Sequence, residues 1–172
     1  VVTVSGPDRL SWLTTLSSQV LTGLTPGVST ETLFLSIQGR VEFAPHVVDD
    51  GGTTWLITEA REAAGLADWL TTMRFALRVE IEDVSDRWAV LVATRDLREL
   101  LPAQTNPVLV WHDPWPGVGA GGHAYAVTED HPGAARSWYE HLIPLASLET
   151  AVAALEEQGY SLAGSWAAEA LQ

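Results

Sequence analysis

Three groups of residues in this 172-residue chain carry side chains or backbone suited to chemistry. The first is the Gly-rich stretch "PGVGAGGHAY" (116–125), where backbone N–H groups beside small residues would cradle an anion. It lacks a Gly-Lys-Ser/Thr ending and does not open into a helix, so it reads as a hairpin connection. The second is His112-Asp113 with His123, His131 and His141, since imidazole and carboxylate are good metal ligands. Their spacings match no ligand motif and each lies beside a turn or on a helix surface, so no metal is expected. The third is a set of eight tryptophans, a large number of flat faces able to stack on a planar heterocycle. Trp12 and Trp69 fall near apolar stripes and read as core. Trp55, on a strand, is the pocket candidate, and Trp115, between Pro114 and Pro116, reads as an exposed contact on a stiff loop. No Gly-x-Ser-x-Gly elbow occurs and "AGSWA" does not replace one, which argues against a serine hydrolase.

These groups need elements to hold them. "VVTV" is strand-like, and "SGPDRLSWLTTLSSQV" predicts a helix with Ser5 as N-cap, Pro7 in the first turn and Asp8 returning the capping contact. Leu10, Leu13, Leu16 and Val20 form its buried stripe. "STETLFLSIQGR" and "VEFAPHVVDD" read as two strands joined at Gly39-Arg40, and "TTWLITE" as a third after the Asp50-Gly51-Gly52 turn, making an antiparallel meander. Ala63, Leu66, Leu70 and Met73 recur at helical spacing across 61–74, and "RVEIEDV" alternates as a strand. A second unit begins near Arg87. It comprises the strand "WAVLVAT", a short helix "RDLRELL" capped by Thr94 and stopped at Pro102, and a strand pair "VLVWHD" and "HAYAVTE". A helix "SLETAVAALEEQG" follows, with Ser147 as cap, Leu148, Val152 and Leu155 inward and Gly159 ending it. The last residues, "LAGSWAAEALQ", look like the start of another helix.

The expected fold class is therefore α+β: two packed lobes, 1–86 and 87–172, with mainly antiparallel sheets and a ferredoxin-like second lobe. A composition 47% apolar supplies a core for such a body. The 22 acids outnumber 9 basic residues, all Arg, giving a net charge of −13. The excess is even, with 12 acids and 5 Arg in residues 1–86 and 10 acids and 4 Arg in residues 87–172. Such a chain repels phosphate backbones, so direct nucleic-acid or anionic-membrane binding is not expected. The absence of cysteine excludes disulfides and thiolate sites within these residues and fits a reducing compartment. No apolar run approaches a membrane span and the first residues lack a signal peptide's pattern, so the expectation is a soluble cytoplasmic protein.

Taken in order, "VVTVSGPDRLSWLTTLSSQVLTGLTPG", "LFLSIQGRVEFAPHVVDDG", "MRFALRVEIEDVS" and "LAGSWAAEALQ" resemble the folate-binding YgfZ family, relatives of the glycine-cleavage T-protein. "VWHDPWPGVGAGGHAYAV" and "HPGAARSWYEHL" resemble its actinobacterial branch. The resemblance implies a fold around a central tetrahydrofolate pocket and a non-catalytic role in maintaining iron-sulfur enzymes. It further implies an iron-sulfur protein partner and, indirectly, a link to tRNA modification. It also implies that the family's Lys-Gly-Cys-Tyr-x-Gly-Gln-Glu signature would lie downstream of "AAEAL", so the chain reads as truncated before it.

T-proteins carry an Asp pair after the Gly turn, one of them the acid-base group of aminomethyl transfer. Aligned on Gly39, that pair falls on Phe43 and Ala44, neither of which moves a proton. Catalysis is thus not expected, and the strand is assigned to lining the pocket. The folate-binding residues implied are Ser18, Gln38, Arg40, Phe43 and Ile57, with Trp55 from the aromatic reading. Arg40 is the one whose guanidinium fork suits a glutamate-tail carboxylate. Two rival readings remain. A T-protein-like aminomethyltransferase needs a carboxylate in the pocket, and the adjacent one, Glu42, should point opposite Phe43 by strand alternation. A protein-interaction scaffold would instead expose an apolar patch around Trp115.

Overall fold

The computed structural model describes residues 1–105, 109–114 and 137–164. The Gly-rich stretch, Trp115, His123, His131, the strand expected at "HAYAVTE" and the helix expected at the end of the chain lie outside the described residues. The elements in chain order are β1 (Val2–Ser5), α1 (Arg9–Leu16), β2 (Ser29–Glu31), β3 (Phe34–Leu35), β4 (Val41–Phe43), β5 (His46–Asp49) and β6 (Thr53–Ile57). Then come α2 (Ala60–Met73), β7 (Glu80–Asp83), β8 (Trp88–Ala93), β9 (Leu109–His112), β10 (Tyr139–Pro144) and α3 (Leu148–Glu157).

Strand alternation sorts the side chains into layers. In the five-stranded sheet β2-β5-β6-β1-β7, Val2, Val4, Val47 and Leu56 point one way, onto Leu13 of α1 and Ala63, Leu66 and Leu70 of α2. Their neighbours Val1, Val48 and Ile57 point the other way, onto Trp111, Trp138 and Leu142 of the three-stranded sheet β8-β10-β9. The far face of that second sheet, through Leu91 and Ile143, packs on Ala151 and Leu155 of α3. All strand pairings among the described residues are antiparallel. The result is four layers, helix, sheet, sheet, helix, with two strand faces meeting in the middle as in a β-sandwich. The indole N–H of Trp111 donates to the Thr30 carbonyl at 2.6 Å and the His112 amide to Ser29 Oγ at 2.8 Å, tying β9 across to β2.

Several expected elements are altered for identifiable reasons. The two long strands around Gly39 each break in two, at Thr32-Leu33 and Ala44-Pro45, so the outer hairpin β3-β4 leaves the main sheet. Pro45 has no N–H for a ladder and disfavours regular continuation at the residue before it. The first helix starts later than expected: Ser5 ends β1, and Asp8, the residue before the helix, makes no side-chain cap. Its carboxylate instead accepts from the guanidinium and amide of Arg78. The helix stops at Leu16, leaving Val20 50% exposed and Leu21 to fill the core. In α3 the buried positions are Ala151 and Leu155, while Val152 sits at the edge of the layer.

The short helix expected over 95–101 is a series of turns. The Leu97 amide is taken by His141 Nε2 at 2.9 Å, and Arg98 folds back on Asp96 through both its amide and its guanidinium. These side-chain bonds compete with a first helical turn. The partner of β9 among the described residues is β10, which was not foreseen.

His141 is fully buried, with Nδ1 3.2 Å from the Leu91 carbonyl and Nε2 accepting the Leu97 amide. That pattern fixes a neutral ring with the proton on Nδ1. Burial pushes its pKa down, outweighing the Leu91 carbonyl and Asp96 nearby. The unfolded chain therefore takes up this proton first as pH falls, and stability declines from about pH 6.5 downward, by at most about 1.4 kcal/mol per pH unit for one proton. Asp96, held at about 2 chiefly by its bonds to Arg98, contributes only later, as pH drops below the usual carboxylate range. Melting temperatures across pH 4–8 should show the first decline in the parent and its loss in His141→Gln. A flat profile for the parent above pH 5 would refute the assignment.

Candidate functional site

At one edge of the inter-sheet layer the apolar filling stops. A cavity of about 720 Å³ opens there between the outer hairpin, the β6–α2 junction and the second sheet. Its apolar wall includes Phe43, Ile57, Trp88, Val90 and Trp138. A space of this size, mostly apolar with a few polar groups, suits a small organic ligand, for which roughly 300–1,000 Å³ is usual.

The polar centre of the wall is Glu140. Alternation along β10 sends Trp138, Glu140 and Leu142 toward the first sheet, so a carboxylate occupies a position between two core residues. Glu140 is only 6% exposed. Its Oε1 lies 3.0 Å from Nδ1 of His46, and its Oε2 has no hydrogen-bond partner among the described residues. His46, at the start of β5, is held by a parallel stack on Trp111 with ring centroids 3.8 Å apart. A buried carboxylate with an unused oxygen costs stability, because desolvation is not repaid by a bond. Such a group at a cavity wall is suited to accept hydrogen bonds from a ligand.

Around Glu140 the wall carries Glu42, Glu59 and Glu62. Glu62 accepts the Thr58 hydroxyl at 2.9 Å, and Glu59 pairs with exposed Arg61. Glu42 was expected to face away from the site side of β4, yet it lines the cavity along with Phe43. The three-residue strand lies on the cavity's rim, while the Phe43 ring also leans on α2, 6.1 Å from Trp69.

Of the residues singled out from the sequence, Phe43 and Ile57 reach this wall. Ser18 closes the edge of β3, its hydroxyl accepting from and its amide donating to Leu33, each at 2.9 Å. Gln38 and Arg40 are exposed at the hairpin turn. Trp55 donates to Asp50 at 2.8 Å and meets Trp88 edge-on, so it supports a wall residue from behind. Glu140 and His46 were missed. The available signal was "SWYEHLIP", a strand alternation with a charge at a core position. Among the described residues no group of three or more His, Cys, Asp or Glu is placed to hold a metal ion, and no helix is long and apolar enough to cross a membrane.

This arrangement of mostly antiparallel sheets and covering helices is a glycine-cleavage T-protein-like fold. One solved structure with this likeness is the glycine cleavage system aminomethyltransferase T from Bartonella henselae, with a TM-score of 0.65 and 13% identity. The match covers 90% of this chain and 42% of that one, so the chain spans about two fifths of its neighbour's length. No family model matches the sequence, and no curated protein does.

Proposed function

We propose that the chain binds a reduced folate as a YgfZ-type protein, with the pterin head in the cavity beside Glu140. The observation that supports this most is the unpartnered Oε2 of that buried carboxylate. A pterin presents two adjacent donors, a ring N–H and an exocyclic amine, and a carboxylate accepts such a pair side by side. Oε1 keeps a second lone pair beside its bond to His46, so both oxygens serve the ligand. Phe43, Trp88 and Trp138 supply the aromatic and apolar surroundings such a ring requires. A role in iron-sulfur enzyme maintenance, with an iron-sulfur protein as partner, belongs to the same proposal.

A second reading, T-protein-like aminomethyl transfer, gains support from Glu42, because a carboxylate stands at the wall where Phe43 replaces the expected acid. The two are separated by a pair of measurements. Calorimetry with 5-formyltetrahydrofolate should show saturable binding. Incubation with tetrahydrofolate and an aminomethyl donor should show no formation of methylenetetrahydrofolate. Absence of binding by folded protein would refute both readings, and turnover abolished by Glu42→Gln would establish the second.

A further inference from the structure

We infer that this cavity selects the pterin head and discriminates against each glutamate added to the folate tail. The inference rests on the folate reading above. Among the described residues four glutamates, Glu42, Glu59, Glu62 and the buried Glu140, contribute to the wall, and no arginine does. Their charges are poorly compensated. Glu140 has His46, Glu59 has the exposed Arg61, Glu62 has only a hydroxyl, the Val1 ammonium at the wall is bonded to Ser85, and Arg40 lies exposed at the hairpin turn outside the wall. Around this mouth the whole chain carries −13, so no distant positive field offsets it.

The head and the tail meet this surface differently. The head offers neutral donors that the buried carboxylate needs. Each added γ-linked glutamate brings one more carboxylate into a negative field. Like charges about 8–10 Å apart near a protein surface, partly screened, weaken binding by roughly twofold to fivefold per added charge at low salt. Glu42 and Glu59 are therefore specificity-determining residues of the rim, while Glu140 recognises the head.

The test uses three probes on the folded chain: dimethyltetrahydropterin, which has no tail, 5-formyltetrahydrofolate, and its triglutamate. Affinities are measured by calorimetry at about 20 mM and about 300 mM NaCl, where screening lengths differ several-fold. At low salt the triglutamate should bind about 4-fold to 25-fold more weakly than the monoglutamate, two added charges at the factor above. The ratio should fall toward one at high salt and in the exposed-residue variants Glu42→Gln and Glu59→Gln. A triglutamate that binds as tightly as the monoglutamate, or more tightly, at low salt overturns this inference and leaves the folate reading intact. No binding of any probe overturns both.

Discussion

Asp49→Ala should lower folding stability by about 3–5 kcal/mol, the usual cost of removing one partner from a buried ion pair. Asp49 is 1% exposed at the end of β5, and its two oxygens receive both prongs of the Arg9 guanidinium at 2.8 Å. The Thr54 hydroxyl donates to it at 2.6 Å and the Gly51 amide at 2.8 Å. Burial works against its ionisation, but the Arg9, Thr54 and Gly51 bonds win and hold its carboxyl below the usual range. Removal strands a guanidinium, a hydroxyl and an amide together, each left to lose its solvation without a bond. The pair also joins the first residue of α1 to the main sheet, so the loss loosens a layer. For a domain of this size the melting temperature should fall by roughly 6–20 °C. Arg9→Met alone should cost a similar amount, whereas the double variant Arg9→Met/Asp49→Leu should recover much of the loss, since apolar replacement of both partners removes the stranded charge. A single-variant loss below about 1 kcal/mol would show that the pair contributes no more than a surface bridge.

The core positions of the first sheet and its helices were legible because they rest on periodicity. Val2 and Val4, Ala63, Leu66 and Leu70, and Val79 all fall in the core where alternation or helical spacing places them. What escaped was set by tertiary partners. The first helix stops early because the following segment is recruited as a strand edge: Ser17 bridges Phe34 and Ser18 bonds Leu33. The turn after β8 replaces a helix because a histidine 44 residues later takes an amide from it. Asp49 read only as the end of a strand before a turn, since nothing in "VVDDGG" distinguishes a carboxylate aimed at Arg9 from one in water. Glu140 was hidden differently. A glutamate within an apolar strand resembles a solvent-facing position until a second sheet is known to cover that face. The hairpin "LFLSIQGRVEF" was singled out for the site, and its Phe43 lines the cavity. Which of its faces meets the cavity depended on the break at Pro45, and that break brought Glu42 to the rim.

Glu140→Gln should separate function from stability. The substitution keeps an oxygen to accept from His46 Nδ1 and preserves shape, but it removes the negative charge and puts an amide donor where Oε2 stood. Hydrogen bonds to a charged group contribute about 1.5–3 kcal/mol, so affinity for 5-formyltetrahydrofolate should drop by roughly 10-fold to 150-fold. Stability should move the other way or stay level, because the variant no longer buries a carboxylate with an unpartnered oxygen. A purely structural glutamate would show the reverse pattern, a lower melting temperature with ligand affinity retained. The two measurements therefore test the role of Glu140 from opposite directions. His46→Gln adds a third arm: it leaves the carboxylate in place but removes the ring stacked on Trp111, so it should weaken ligand binding less than Glu140→Gln does. If His46→Gln proved the more damaging to binding, the imidazole and not the carboxylate would be the group that meets the ligand.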